Sequence, residues 1–120
     1  MKRKTFTKKQ RKEIALKTNN KCGYCGEELK SGWHIDHMEA FVARFYNGKQ
    51  EQNDNFMASC PQCNNYKRFD TVEQFRTKLE DQHRLAKNQS VNYRFALKFN
   101  QIIETPKQII FYFEELTKTH

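Results

Sequence analysis

The stretch Cys60-Pro-Gln-Cys63-Asn-Asn-Tyr-Lys67, CPQCNNYK, decides how the rest of the chain is read. It pairs two cysteines across a two-residue gap, and an earlier pair, Cys22-Gly-Tyr-Cys25, repeats the spacing. Two such pairs can grip one zinc ion, because each short loop supplies two thiolates at the right bite and four close the site to chemistry. The other readings are disulfides or free thiols. Disulfides need an oxidising compartment, and the basic start MKRKTFTKKQRK has no apolar run behind it to act as an export signal. A redox pair would usually occur once, beside a βαβ pattern that is absent here. The 34 residues between the pairs exceed the usual zinc-ribbon gap, so something is inserted between the knuckles. Pro61 suits the start of a short helix running to Lys67.

The bulk properties agree with a metal staple. The chain has 120 residues, 37% hydrophobic and 30% charged, with a mean hydropathy of −1.01. That suggests one domain with one modest core, which a bound metal would help to hold. No apolar run approaches the length that spans a bilayer, so no membrane partner is expected. The formal net charge is +8. Such a balance points first to nucleic acid and second to an anionic membrane surface, and solubility alone is the bland reading. The first 21 residues hold nine Lys or Arg against one Glu, a run fit to track a phosphate backbone.

Local signals place the elements. Thr7-Lys-Lys-Gln10 reads as a capping box opening a helix to about Lys17, ended by TNNK. Glu27 to Ile35 reads as a short hairpin turning near Ser31-Gly32, with Asp36 and His37 closing its second strand. The polar loop NGKQEQNDN turns at Asn47-Gly48, and Phe56 to Ser59 reads as a strand. Thr71-Val-Glu-Gln74 is a second capping box, opening a helix with Val72, Phe75, Leu79 and Ala86 at helical spacing. A further amphipathic segment puts Phe95, Ala96, Phe99, Ile102 and Ile103 on one core-facing stripe. Thr105-Pro106 breaks it, and Ile109 to Phe113 reads as a buried strand or a short helix.

The insertion carries Asp36, His37 and Asn55, and Asn64 follows the last cysteine. A histidine is a usable base near neutral pH, and a carboxylate with a carboxamide favours a hard ion such as magnesium or manganese. The ordered set CGYCG, IDHM, NDNF and CPQCNNYK resembles the HNH endonuclease family in its zinc-containing ββα-metal form, over about Lys21 to Lys67. The tail, with VEQFR and FYFEEL, resembles the extension of small phage and bacterial members. The resemblance implies an α+β protein in which a small ββα-metal core is stapled by a four-cysteine zinc site. It divides one domain into a basic N-terminal helix (1–20), the zinc core (21–68) and a mainly helical C-terminal extension (69–120). It implies structural Zn2+ on Cys22, Cys25, Cys60 and Cys63, with His37 as general base. It places catalytic Mg2+ or Mn2+ on Asp36 and Asn64, with Asn65 the alternative second ligand. Asn55 would hold the loop by backbone hydrogen bonds so that His37 faces the scissile phosphate. The sequence departs from the pattern in three places. MEAF replaces the proline region after the DH pair, Asn47-Gly48 reduces a Gly-Gly loop, and Asn64 stands for the last histidine.

The implied activity is metal-dependent hydrolysis of DNA, most readily double-stranded, in the cytoplasm of a bacterial or phage-infected cell. Arg44, Lys49, Lys67 and Arg68 flank the site as phosphate contacts, or as a solvated face. His34 lies two positions before Asp36 and reads as a partly exposed strand residue or a second contact to phosphate or to the metal's waters. Trp33 and Ile35 read as strand anchors. The rival reading is a non-catalytic zinc module that binds nucleic acid. It explains the cysteines and the charge and leaves the Asp36, His37, Asn55 and Asn64 set unexplained.

Overall fold

Thr7 accepts a hydrogen bond from Gln10 N, and the Gln10 side chain returns one to Thr7 N at 2.8 Å. This capping box starts α1, Lys8–Leu16, as its sequence requires. Asn19 and Asn20 then take left-handed backbone, with φ of 56° and 60°, which stops the helix where TNNK stands. The structure is a computed structural model and describes residues 5–39 and 53–117. The Asn47-Gly48 turn, Arg44 and Lys49 lie outside the described residues.

The chain divides into two compact units, Met1–Val72 with Ile110–His120, and Glu73–Ile109. In the first, β1 (His34–His37) pairs antiparallel with β2 (Phe56–Ser59) in the register His34 to Ser59 and His37 to Phe56. A single 3-10 turn, Asn53–Asn55, feeds β2, and α2 (Pro61–Lys67) follows it directly. The hairpin expected over 27–35 does not form. Glu28 makes only an isolated bridge to Lys21, and β1 finds its partner in β2 instead. The reason is that the chain before β1 bends back onto the first cysteine knuckle, with Leu29 N donating to Asn20 O.

Alternation sorts the strand residues onto two faces. Ile35 and the facing Phe56 and Ala58 join Ile14 of α1 in the core, with Phe6, Leu29 and Trp33 packed around it. Arg11 crosses from α1 to donate to Trp33 O at 2.8 Å, its guanidinium 4.1 Å over the indole ring. The other face carries Asp36 and Met57 toward α2 and the first knuckle. Gly23 belongs there because its N–H donates to Ala58 O at 2.8 Å and a Cβ would sit 2.0 Å from Met57 Sδ.

The second unit holds most of α3 (Val72–Glu80), with α4 (Gln82–Gln89) and α5 (Val91–Lys98). The single helix expected from the second capping box is two, divided at Asp81, whose ψ of 11° lies outside the helical range. The expected core stripe also fails. Asn100 takes φ of 61° and Gln101 N returns to Ala96 O, ending α5 before Ile102 and Ile103 can share its face. Phe95 and Phe99 are 54% and 66% exposed, so the helix buries Tyr93, Ala96 and Leu97 more than its phenylalanines. Of the strand or short helix expected over 109–113, the helix forms in part: the chain leads into α6, Tyr112–Leu116, which belongs to the first unit. No helix among the described residues is long and apolar enough to cross a membrane.

Candidate metal centre and HNH site

The two cysteine pairs meet in the first unit. Four ligand sulfurs, from Cys22, Cys25, Cys60 and Cys63, lie within 4.8 Å of one another. Four sulfurs about 2.3 Å from a common ion, at tetrahedral corners, stand about 3.8 Å apart. Cys25 and Cys60 are 3.8 Å apart. The first knuckle is closed by Gly26 N on Cys22 O and Cys22 N on Glu27 O, with Gly26 at φ 80°, a turn that favours glycine. The second is the start of α2, where Cys60 is the N-cap and its sulfur accepts from Cys63 N.

Without an ion the four thiols share their protons unevenly. The hydrogen bond from Cys63 pulls the Cys22 thiol far down, and the same bond pushes Cys63 up. Burial drives Cys25 up to about 12. Without a cation the group cannot hold four thiolates. A divalent ion removes the conflict and releases protons as it binds. The four cysteines therefore fit a structural zinc.

Asp36 stands beside this centre, 4% exposed. Its Oδ2 accepts the Tyr24 hydroxyl at 2.5 Å and faces Lys67 Nζ at 3.1 Å. Lys67 is fully buried and also donates to His37 O at 3.1 Å. Burial pushes the Asp36 carboxyl up from its ordinary value, while the Lys67 charge and the Tyr24 bond act against it. Lys67 is thus no phosphate contact. The expectation from its position is corrected by its place on α2, whose last turn turns inward to β1. Removing one partner of a buried ion pair typically costs about 3–5 kcal/mol. Lys67→Ala is expected to lower unfolding free energy by about that much in chemical denaturation, and Lys67→Met with Asp36→Asn to recover most of it.

Asn64 is half-buried, one turn before Lys67 on α2, which puts both on one helix face. Asn65 is exposed beside it, as is Arg68. Asn55 clamps the chain just after β1. Its carboxamide accepts from Glu39 N at 2.7 Å and donates to Glu39 O at 3.0 Å, and Met38 N donates to Asn55 O. His37 is 3% exposed, with its ring edge-on to Phe56 at 5.4 Å. Asp36 and His37 lie on opposite faces of β1, so the structure gathers Asp36, Lys67, Tyr24 and the Asn64 turn, and places the His37 ring across the strand from them. His34 is exposed.

Two functional neighbours escaped the sequence reading. Tyr24 carried no assignment, and Lys67 read as a phosphate contact or part of a solvated face. For Lys67 a signal existed, its three-residue spacing from Asn64.

A zinc-type ββα module, with β1, β2 and α2 closed by four cysteines, is the class this geometry defines. Residues 22–69 match the family model described as HNH endonuclease. No curated protein and no solved structure shows significant similarity to the chain. HNH domains are usually nucleases that act on nucleic acid, so the match and the cysteine centre together support a nuclease or nucleic-acid-related function with a bound metal.

Proposed function

We propose that this chain is a metal-dependent endonuclease that hydrolyses DNA phosphodiesters, with His37 as general base and Asp36 and Asn64 as holders of one Mg2+ or Mn2+ ion. The observation that carries it is the placement of Asp36 on β1 against the α2 face that bears Asn64, inside the segment that matches the HNH family. One carboxylate and one carboxamide fit a hard ion in donor chemistry. Such an ion stabilises charge on the phosphate and leaving oxygens when bound. The Lys67 ammonium already faces Asp36 Oδ2, so cation and ammonium compete for that carboxylate.

The chain's own residues do the rest. His37 accepts a proton from water, the hydroxide attacks phosphorus in line, and the P–O bond opposite it breaks, its sugar oxygen leaving with a proton from solvent water. The Asn55 clamp on Glu39 fixes the backbone two residues beyond His37, so the ring approaches the phosphate from one direction. Arg68, exposed past α2, supplies a phosphate contact, joined by Arg44 and Lys49. The rival, a zinc-stabilised nucleic-acid-binding module without catalysis, is favoured by one fact: Asp36 is already charge-balanced by Lys67. Supercoiled plasmid incubated with magnesium or manganese, with and without chelator, separates the two. Nicked or linear product that disappears with chelator is expected. Binding without any cutting supports the rival.

A further inference from the structure

Tyr24 lies inside the first zinc knuckle, between two sulfur ligands, yet its hydroxyl reaches Asp36 Oδ2 at 2.5 Å. The side chain is anchored on several sides. Its ring meets Phe111 edge-on at 5.2 Å and Phe113 at 6.1 Å. Its carbonyl accepts Tyr112 N, and the neighbouring Gly23 carbonyl accepts Phe113 N at 2.8 Å. Tyr24 is 3% exposed and Phe111 is 1% exposed. Tyr112, on the same segment, packs its ring where a Cβ on Gly26 would stand, 3.3 Å away, so the C-terminal segment grips the knuckle on both sides of Tyr24.

We propose that Tyr24 is a positioning residue that aims the Asp36 carboxylate, tying it to the zinc knuckle and, through Phe111 and Phe113, to the C-terminal segment. This rests on the reading of Asp36 as a divalent-ion ligand. The physical case has two parts. A carboxylate with one oxygen pinned by a rigid phenol loses rotation about its last torsion, and its second oxygen is presented in a fixed direction. Lys67, the other partner of Oδ2, comes from α2, so Asp36 is held from both knuckles at once: from the first by Tyr24, and from the helix that the second begins by Lys67. Partners of this kind typically change metal affinity or activity by 10–100-fold when removed.

The test is Tyr24→Phe in the full, zinc-loaded chain, which keeps the ring and its packing and removes only the hydroxyl. Zinc content should stay at one per chain. Mn2+ affinity, read by electron paramagnetic resonance or calorimetry, should weaken by roughly 10–100-fold. The magnesium needed for half-maximal cleavage should rise by the same factor, while the rate at saturating magnesium stays within about threefold of wild type. A merely structural role would instead lower the rate at every metal concentration. If Tyr24→Phe fails to hold zinc, Phe113→Leu decides: it must weaken Mn2+ binding at full zinc content, and unchanged affinity overturns the proposal. Wild-type Mn2+ affinity in a zinc-loaded Tyr24→Phe overturns it as well and leaves the nuclease reading standing. A wild-type chain that binds no Mn2+ overturns the ion site, and with it this role for Tyr24.

Discussion

Cys60→Ser is expected to yield a chain that holds no zinc after purification and shows no cooperative unfolding transition at room temperature. Cys60 has two duties, and Ser removes only the zinc ligand, because its hydroxyl is a good N-cap acceptor. Its sulfur is one of the four in the cluster, and it caps α2 by accepting from Cys63 N. Structural zinc in small modules supplies on the order of 10 kcal/mol of folding free energy. Whole domains are stable by about 5–15 kcal/mol, so the metal is comparable to everything else that holds the first unit. The buried apolar side chains there are few: Ile14, Ile35, Phe56 and Ala58 form the cluster on β1 and β2. Elemental analysis with a thermal melt, in the presence and absence of chelator, checks the expectation. A Cys60→Ser protein that melts like wild type would mean the core suffices without the ion.

The parts of this fold that were legible in the sequence are local. The Thr7 and Gln10 exchange, Pro61 at the first turn of α2 and the two-residue cysteine spacings each state their geometry within four residues. The register of β1 on β2 was not legible, because the competing partner, 27–31, carries the same turn residues. The division of the second unit was hidden for a related reason. Asp81 and Asn100 stop helices by backbone angles that side-chain periodicity does not record. Helical spacing suggested a buried stripe at Phe95 and Phe99, and it correctly paired the two rings, stacked at 6.2 Å, but spacing alone cannot say which face finds a partner.

The site shows the same split. The DH pair and the two asparagines could be picked out by residue type. What surrounds Asp36 could not, because Tyr24 and Lys67 approach it from positions 12 and 31 residues away in the chain, and Phe111, which packs on Tyr24, lies 75 away. This matters for how Asp36 is tested. Asp36→Ala would leave Lys67 buried without its carboxylate, and the loss of stability would obscure any loss of ion binding. Asp36→Asn with Lys67→Met, which keeps an oxygen acceptor for Tyr24 and removes the orphaned charge, is the cleaner variant.

His37→Ala carries the second large expected effect. The ring contributes an edge contact to Phe56 and the backbone carbonyl contributes the bond to Lys67, so the substitution removes the first and keeps the second. Some stability should be lost with the ring, and zinc should be retained, since the four cysteine ligands lie outside β1. General-base catalysis typically contributes about 10²–10⁴-fold, so cleavage should fall by at least about a hundredfold while DNA binding persists. Excess magnesium should leave the variant inactive, because the ion does not replace a proton acceptor.

The most direct measurement is therefore a paired rate of plasmid cleavage by wild-type and His37→Ala protein at saturating magnesium, both shown to carry one zinc and to bind the same DNA. The account predicts steady cutting by wild type and a loss of about a hundredfold or more in the variant. Equal rates from the two proteins, with contaminating nuclease excluded, would contradict it and move attention to His34, the exposed histidine at the start of the same strand.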